Sequence, residues 1–185
     1  MIYLNMEFLL HNVKKECPIA EVVRINPRNL IFEENAKMNC FYCGKYGNNW
    51  KCPPNLPDIN YEKMFSEFDE GMFIVLKYAV FDFKQYEEIR AESSVVLHKL
   101  LLKCERWLWE SNKSTSLSFG GGSCKLCKGG CGKDRCNNPY LARSPIEAIG
   151  INVIKSAAQY GIEIKFPPKD ELKRIGLIVW QNMEV

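Results

Sequence analysis

Between Lys84 and about Glu110, the residues Tyr86, Ile89, Ser93, Val96, Leu97, Leu100, Cys104, Trp107 and Leu108 recur at three- and four-residue steps. That spacing marks one face of an α-helix. At 1.5 Å per residue the predicted helix is about 40 Å long, enough to cross a small domain and cover a sheet. Just before it, Met72 to Val80 is a nearly continuous apolar run with β-branched and aromatic members, which predicts a strand covered on both faces. Ser114 to Phe119 reads as a strand returning beside the first, giving a strand-helix-strand unit with a right-handed crossover.

The flanking segments are shorter. The opening residues to about Lys15 predict an amphipathic helix, and Glu21 to Ile25 a strand. Asn26-Pro27 has the form of an N-cap followed by proline at the first helical position, predicting a short helix toward Ala36. Asn60 is placed to cap another through Phe68. Ser144-Pro145-Ile146-Glu147 combines capping-box spacing with proline at the first helical position, predicting a helix to about Tyr160 that Gly161 ends. Ile162 to Phe166 and Ile175 to Trp180 predict a terminal hairpin across Pro167-Pro168. Together these elements predict an α/β fold of the α+β sandwich kind: a small mixed β-sheet packed by helices, with two cysteine-rich loops at 40–57 and 120–139. No internal repeat or linker divides residues 1–185, so they read as one domain.

Composition changes that picture in one respect. A chain of 185 residues, 46% apolar and 25% charged, buries roughly 70% of its unfolded surface and needs no disulfide staples. Yet it carries nine cysteines, an odd number. The N-terminal stretch lacks a basic start and a small-residue cleavage site, and no apolar run reaches membrane-spanning length. The expected compartment is therefore the reducing cytoplasm, where clustered cysteines hold metal or do redox chemistry. A net charge of +3 argues against a strongly basic nucleic-acid binder. The charge is uneven, with Lys125, Lys128, Lys133, Arg135 and Arg143 opposed only by Asp134 between Gly120 and Arg143.

The cysteines fall into two runs. Cys40-Phe-Tyr-Cys43 is followed after eight residues by Cys52-Pro53-Pro54. A two-residue spacer lets both sulfurs face one centre, and glycine turns expose N–H groups to them. The second run, Gly120-Gly-Gly-Ser-Cys124-Lys-Leu-Cys127-Lys-Gly-Gly-Cys131-Gly-Lys-Asp-Arg-Cys136, places four thiols in a segment too rich in glycine for regular structure. Neither run contains histidine, whereas structural zinc sites combine two Cys-x-x-Cys knuckles or include histidine. All-cysteine clustering, the Cys-Pro ending, abundant glycine and local positive charge favour iron-sulfur clusters of the [4Fe-4S] type over zinc.

Two such clusters bound wholly by cysteine need eight thiolates, and the runs supply Cys40, Cys43, Cys52, Cys124, Cys127, Cys131 and Cys136. Cys104 belongs to the apolar stripe of the long helix, where the core reading is better. Cys17 precedes Pro18 and is a candidate eighth ligand, although a structural role is favoured because Pro18 suits a helix stop. Otherwise one iron is open to solvent, to a non-cysteine ligand, to substrate, or to Cys136 exchanging between sites.

The pattern Cys-x-x-Cys-x-x-Tyr-Gly to Cys-Pro-Pro, then Gly-Gly-Ser-Cys-x-x-Cys, then Arg143-Ser144-Pro145-Ile146-Glu147-Ala148, resembles a family of predicted metal-binding proteins, domain-of-unknown-function family 2284. The resemblance runs from about Val22 to the C-terminus and matches the seven cysteines of the two runs. It implies metal binding and an anaerobic bacterial or archaeal setting, and it carries over no reaction. In that pattern the position of Cys17 is a small residue.

Three functions follow as expectations. The first is an iron-sulfur protein passing electrons to a redox partner protein, its basic residues tuning potential or docking. The second is an enzyme using the open iron of the three-cysteine cluster, with Tyr42, Tyr46 and Trp50 lining a pocket or merely shielding it. The third is a zinc-stabilised binding module.

Overall fold

The computed structural model describes residues 2–111, 115–165, 168 and 170–182, with only the backbone described for residues 2–5 and 83. Alternation decides its layers. In strand β2 (Glu70–Ala79), Met72, Ile74 and Leu76 point to one face and Phe73 and Val75 to the other; all five are buried. The apolar run was legible as a doubly covered strand because both faces meet a core.

The sheet has four strands in the order β1-β2-β4-β3, where β1 is Ala20–Ile25, β3 is Ser116–Phe119 and β4 is Glu171–Trp180. Every neighbouring pair is antiparallel, so the sheet is not mixed. β2 and β3 do run parallel to each other, joined by the long helix as expected, but β4 lies between them rather than at the end of a hairpin. β4 pairs along its whole length with β2, Glu70 facing Trp180 and Ala79 facing Glu171. Its residues from Ile175 to Trp180 are buried, and a doubly apolar strand gains most at the centre of a sheet. Residues 162–165 form no strand, and Phe166 lies outside the described residues.

One face is covered by helices α1 (Ile2–Glu16) and the long helix α4 (Phe83–Glu110), which bury Leu9, Val13, Leu97, Leu101, Cys104 and Leu108 against Met72, Ile74, Ile178 and Trp180. Asp82 caps the long helix by accepting from the Gln85 N–H at 2.8 Å. Gly176 lies beneath it: a Cβ there would stand 3.0 Å from both Leu97 Cδ1 and Leu101 Cδ1. Gly176→Ala is therefore expected to cost about 1–2 kcal/mol by overpacking, read as a lower urea midpoint at unchanged slope.

The other face is covered by short pieces. Predicted helices at 27–36 and 145–160 are each broken in two. A 3-10 turn at Pro27–Asn29 precedes α2 (Glu34–Phe41), and a 3-10 turn at Glu147–Ile149 precedes α5 (Val153–Ala158). The cause is mutual. Phe32 bridges Ile151, the Glu33 N–H donates to Gly150 O at 2.8 Å and the Asn152 N–H to Ile31 O at 2.8 Å. Gly150 turns through φ +93°, a conformation that favours glycine, and Lys37 lies where a Cβ would go. Cross-chain pairing thus outcompetes the local helix signal. α3 (Tyr61–Ser66) forms as predicted, with Asn60 Oδ1 accepting from the Lys63 N–H at 2.8 Å. Among the described residues no helix is long and apolar enough to cross a membrane.

Candidate metal centre

Cys40 sits in the last turn of α2, and that turn continues as two tight ones: the Cys43 N–H donates to Cys40 O at 3.1 Å and the Tyr46 N–H to Cys43 O at 2.9 Å. Gly47, at φ +68°, reverses the chain so that its N–H reaches Pro53 O at 2.9 Å. This fold-back returns Cys52 to the first two thiols. Cys52 is buried, Cys40 half-buried and Cys43 exposed. Burial pushes the Cys52 thiol up to about 12, and charge on Cys40 and Cys43, then on Cys124 and Cys131, adds to the rise. Cys40 is raised by burial, by Glu147 and by Cys43.

The second run leaves β3 through Gly120, whose N–H donates to Ser144 O at 2.9 Å while its carbonyl accepts from the Ile146 N–H at 3.0 Å. Cys124, Cys127, Cys131 and Cys136, all half-buried, line one cleft of about 430 Å³. Burial raises Cys124, charge on the other three thiols adds to the rise, and an N–H of Leu126 opposes it. Asn138 Nδ2 donates to Cys127 Sγ at 3.1 Å. Amide donors of this kind stabilise thiolate ligands.

The two runs meet, although they are more than seventy residues apart in sequence. Asn49 is buried and donates from Nδ2 to Cys124 O at 3.2 Å; Trp50 Nε1 donates to Gly132 O at 2.7 Å. Lys45, Asn48, Asn49, Trp50 and Lys51 supply the facing wall of the four-cysteine cleft. Trp50 is thus a tie between loops. Tyr46 packs edge-on against Phe41 at 5.1 Å between ring centres, and Tyr42 points to solvent. Trp50→Phe keeps the ring and loses the bond; it is expected to cost about 1 kcal/mol and to speed hydrogen exchange in 124–136 more than in the sheet.

The remaining cysteines lie elsewhere. Cys104 is fully buried in the helix-covered core, and Cys17 packs against that same core beside Tyr78. The first run packs its Leu56 into the opposite core. Cys17 therefore stands across the sheet from Cys40, Cys43 and Cys52, which removes it as their partner. Lys128, Lys133 and Arg135 are exposed, whereas Lys125 is half-buried and turned toward Arg90, its Nζ 3.5 Å from Arg90 O.

Several polar residues that support the runs carry no sequence signal of their own. Glu105 of the long helix accepts from Arg143 Nε at 2.8 Å, from Arg143 Nη2, and from the N–H and hydroxyl of Ser118. Arg143 also donates to the carbonyls of Tyr140 and Ala142, so this carboxylate fixes the exit of the second run. His98 is buried with Nε2 2.7 Å from Leu141 O, and burial pushes its pKa down. Glu147 is half-buried, with a buried Oε2 that has no partner.

The donor set fits a thiophilic metal. Seven soft sulfurs lie in two touching segments, amides are turned toward them, and their ionised forms repel one another until a cation compensates. Among the described residues, no group of three or more His, Cys, Asp or Glu side chains is already arranged to hold a metal ion. The segments adjoin, and their side chains are not closed around a centre. A family model described as "Predicted metal-binding protein (DUF2284)" matches residues 23–180. No curated protein and no solved structure matches.

Proposed function

Because the chain belongs to the predicted metal-binding protein family DUF2284, we propose that its two cysteine runs hold iron-sulfur clusters and that the protein carries electrons to a redox partner. The observation that carries this reading is the contact between the runs, through Asn49 to Cys124 O and Trp50 to Gly132 O. That contact brings seven thiols and no histidine into one region. Bound there, clusters supply one-electron redox chemistry. Cys124, Cys127, Cys131 and Cys136 suffice for one four-iron site, and the exposed Lys128, Lys133 and Arg135 offer an acidic partner a docking rim.

Cys40, Cys43 and Cys52 offer three ligands to a second site, and Cys17 is out of reach. A ligand other than Cys17 must complete it, either Cys136 or a non-cysteine group. This deficit favours a second reading, in which the first run leaves a coordination position for a small substrate. Iron, zinc and acid-labile sulfide, measured on protein purified without oxygen, test the proposal. Iron and sulfide in about equal amounts, with colour bleached reversibly by reductant, are expected. Stoichiometric zinc without sulfide would replace it with the zinc-stabilised module.

A further inference from the structure

Outside the cysteines themselves the largest chemical oddity is a half-buried pair of opposite charges, Arg174 and Glu147, that attract each other without forming an ion pair. Arg174 of β4 is half-buried, and its guanidinium is held by neutral oxygens: Nε donates to Ser93 Oγ at 3.2 Å, Nη1 to Gly121 O at 3.1 Å and Nη2 to Arg90 O at 2.8 Å. No carboxylate among the described residues forms an ion pair with it. Glu147 is half-buried, receives N–H bonds from its own backbone and Gly122, and keeps a fully buried Oε2 without a partner. Both side chains line one cavity of about 710 Å³, together with Tyr86 and Arg90. Lys165 and Lys173 also line it, but each already has a carboxylate, Glu163 at 3.8 Å and Glu171 at 3.3 Å.

A half-buried guanidinium without an ion-pair partner and a buried carboxylate oxygen without a donor both carry a cost that a ligand would relieve. Lys125 and Arg90 stand beside Arg174 and add positive charge. Gly121 packs closely on β4 beside Arg174, since a Cβ there would meet Ile175 O at 2.5 Å and Arg174 Cδ at 3.1 Å. The two unmet demands are complementary to one small molecule. We propose that this cavity binds a carboxylate with a hydrogen-bond donor on the adjacent carbon, an α-hydroxy or α-amino acid, its carboxylate on Arg174 and its donor on Glu147.

The cavity contains none of the seven loop cysteines, but Glu147 also acts on Cys40, so metal content is measured on every variant to keep the two readings apart. Full-length protein purified without oxygen, its metal content recorded, is titrated by calorimetry with lactate, alanine and propionate. Lactate or alanine is expected to bind at least about tenfold more tightly than propionate, which lacks the donor. Glu147→Ala should bring the better ligand down to the propionate level. Glu147→Gln separates the two classes: a hydroxyl still finds an amide oxygen and lactate binding persists, whereas the ammonium of alanine loses its ion pair and binding falls by about tenfold or more. Arg174→Lys weakens all three carboxylates. The comparison within the unmodified protein stands even if a variant misfolds. No binding of lactate or alanine at about 10 mM, or propionate binding as tightly as either, overturns the proposal. Binding that survives both Glu147→Ala and Arg174→Lys overturns it as well.

Discussion

Replacing Cys124 and Cys131 together by alanine is expected to remove about half of the iron and sulfide, the share of one of two clusters. The fold loses the stabilisation that bound metal contributes by linkage. The same substitution at Cys104 or Cys17 should leave the metal content unchanged. Both controls follow from placement: Cys104 is fully enclosed by the core under the long helix, and Cys17 packs on that same side of the sheet. Cys104→Ala still has a cost, about 1 kcal/mol for a small buried cavity, so its signature is lower stability at full metal loading. Cys52→Ala should empty the first site without emptying the second, because its buried thiol stands with Cys40 and Cys43 in a separate fold-back. Iron retained in full by the double alanine variant would show that the second run is not a ligand set.

Glu105→Ala is expected to cost about 3–5 kcal/mol, the range for breaking a buried ion pair from one side. The carboxylate is matched to Arg143 through two nitrogens, with side-chain exposures of 15% and 22%. It also takes both donors of the buried Ser118. Its removal strands a guanidinium and a backbone N–H at the mouth of the second run. Replacing both partners, Glu105→Leu with Arg143→Met, should be milder than the sum of the single changes by about 2 kcal/mol or more. Urea unfolding of the four proteins checks this, and additive costs would mean that the pair does not act as a unit. Because Arg143 also holds the carbonyls of Tyr140 and Ala142, the single variant should release metal from the second run faster than from the first.

Local signals are legible where one element's own pattern decides its state. The stripe from Tyr86 to Leu108 marks the long helix, which the structure runs from Phe83 to Glu110, and Asn60 caps α3 through its side chain as its type implies. What failed depended on partners far away in sequence. The Ser144 to Tyr160 signal is an adequate helix pattern, yet Phe32 and Ile31 draw Ile151 and Asn152 into pairing and Gly150 turns between the two short helices. Nothing local in Ile175 to Trp180 told its pairing with β2 and β3 from a terminal hairpin; the two cores it joins made the choice.

For the site, the cysteines were visible as ligands by their spacing, and Cys104 as core by its helical phase. Their convergence was not visible, because it rests on an asparagine and a tryptophan reaching carbonyls of the other run. Glu105, His98 and Arg174 are silent for a similar reason, and Glu147 is visible only as a cap and as part of the Arg143–Ala148 motif. A buried polar residue looks like a surface one until its partners are known.

The account rests on sulfur ligands from both runs closing around iron. Diffraction from crystals grown without oxygen, recorded on both sides of the iron absorption edge, tests this most directly. Two compact iron peaks are predicted, one within bonding distance of Cys124, Cys127, Cys131 and Cys136 and the other of Cys40, Cys43 and Cys52, with Cys17 and Cys104 bare. A map with no iron peak beside either run, or with its signal at the zinc edge instead, would contradict it.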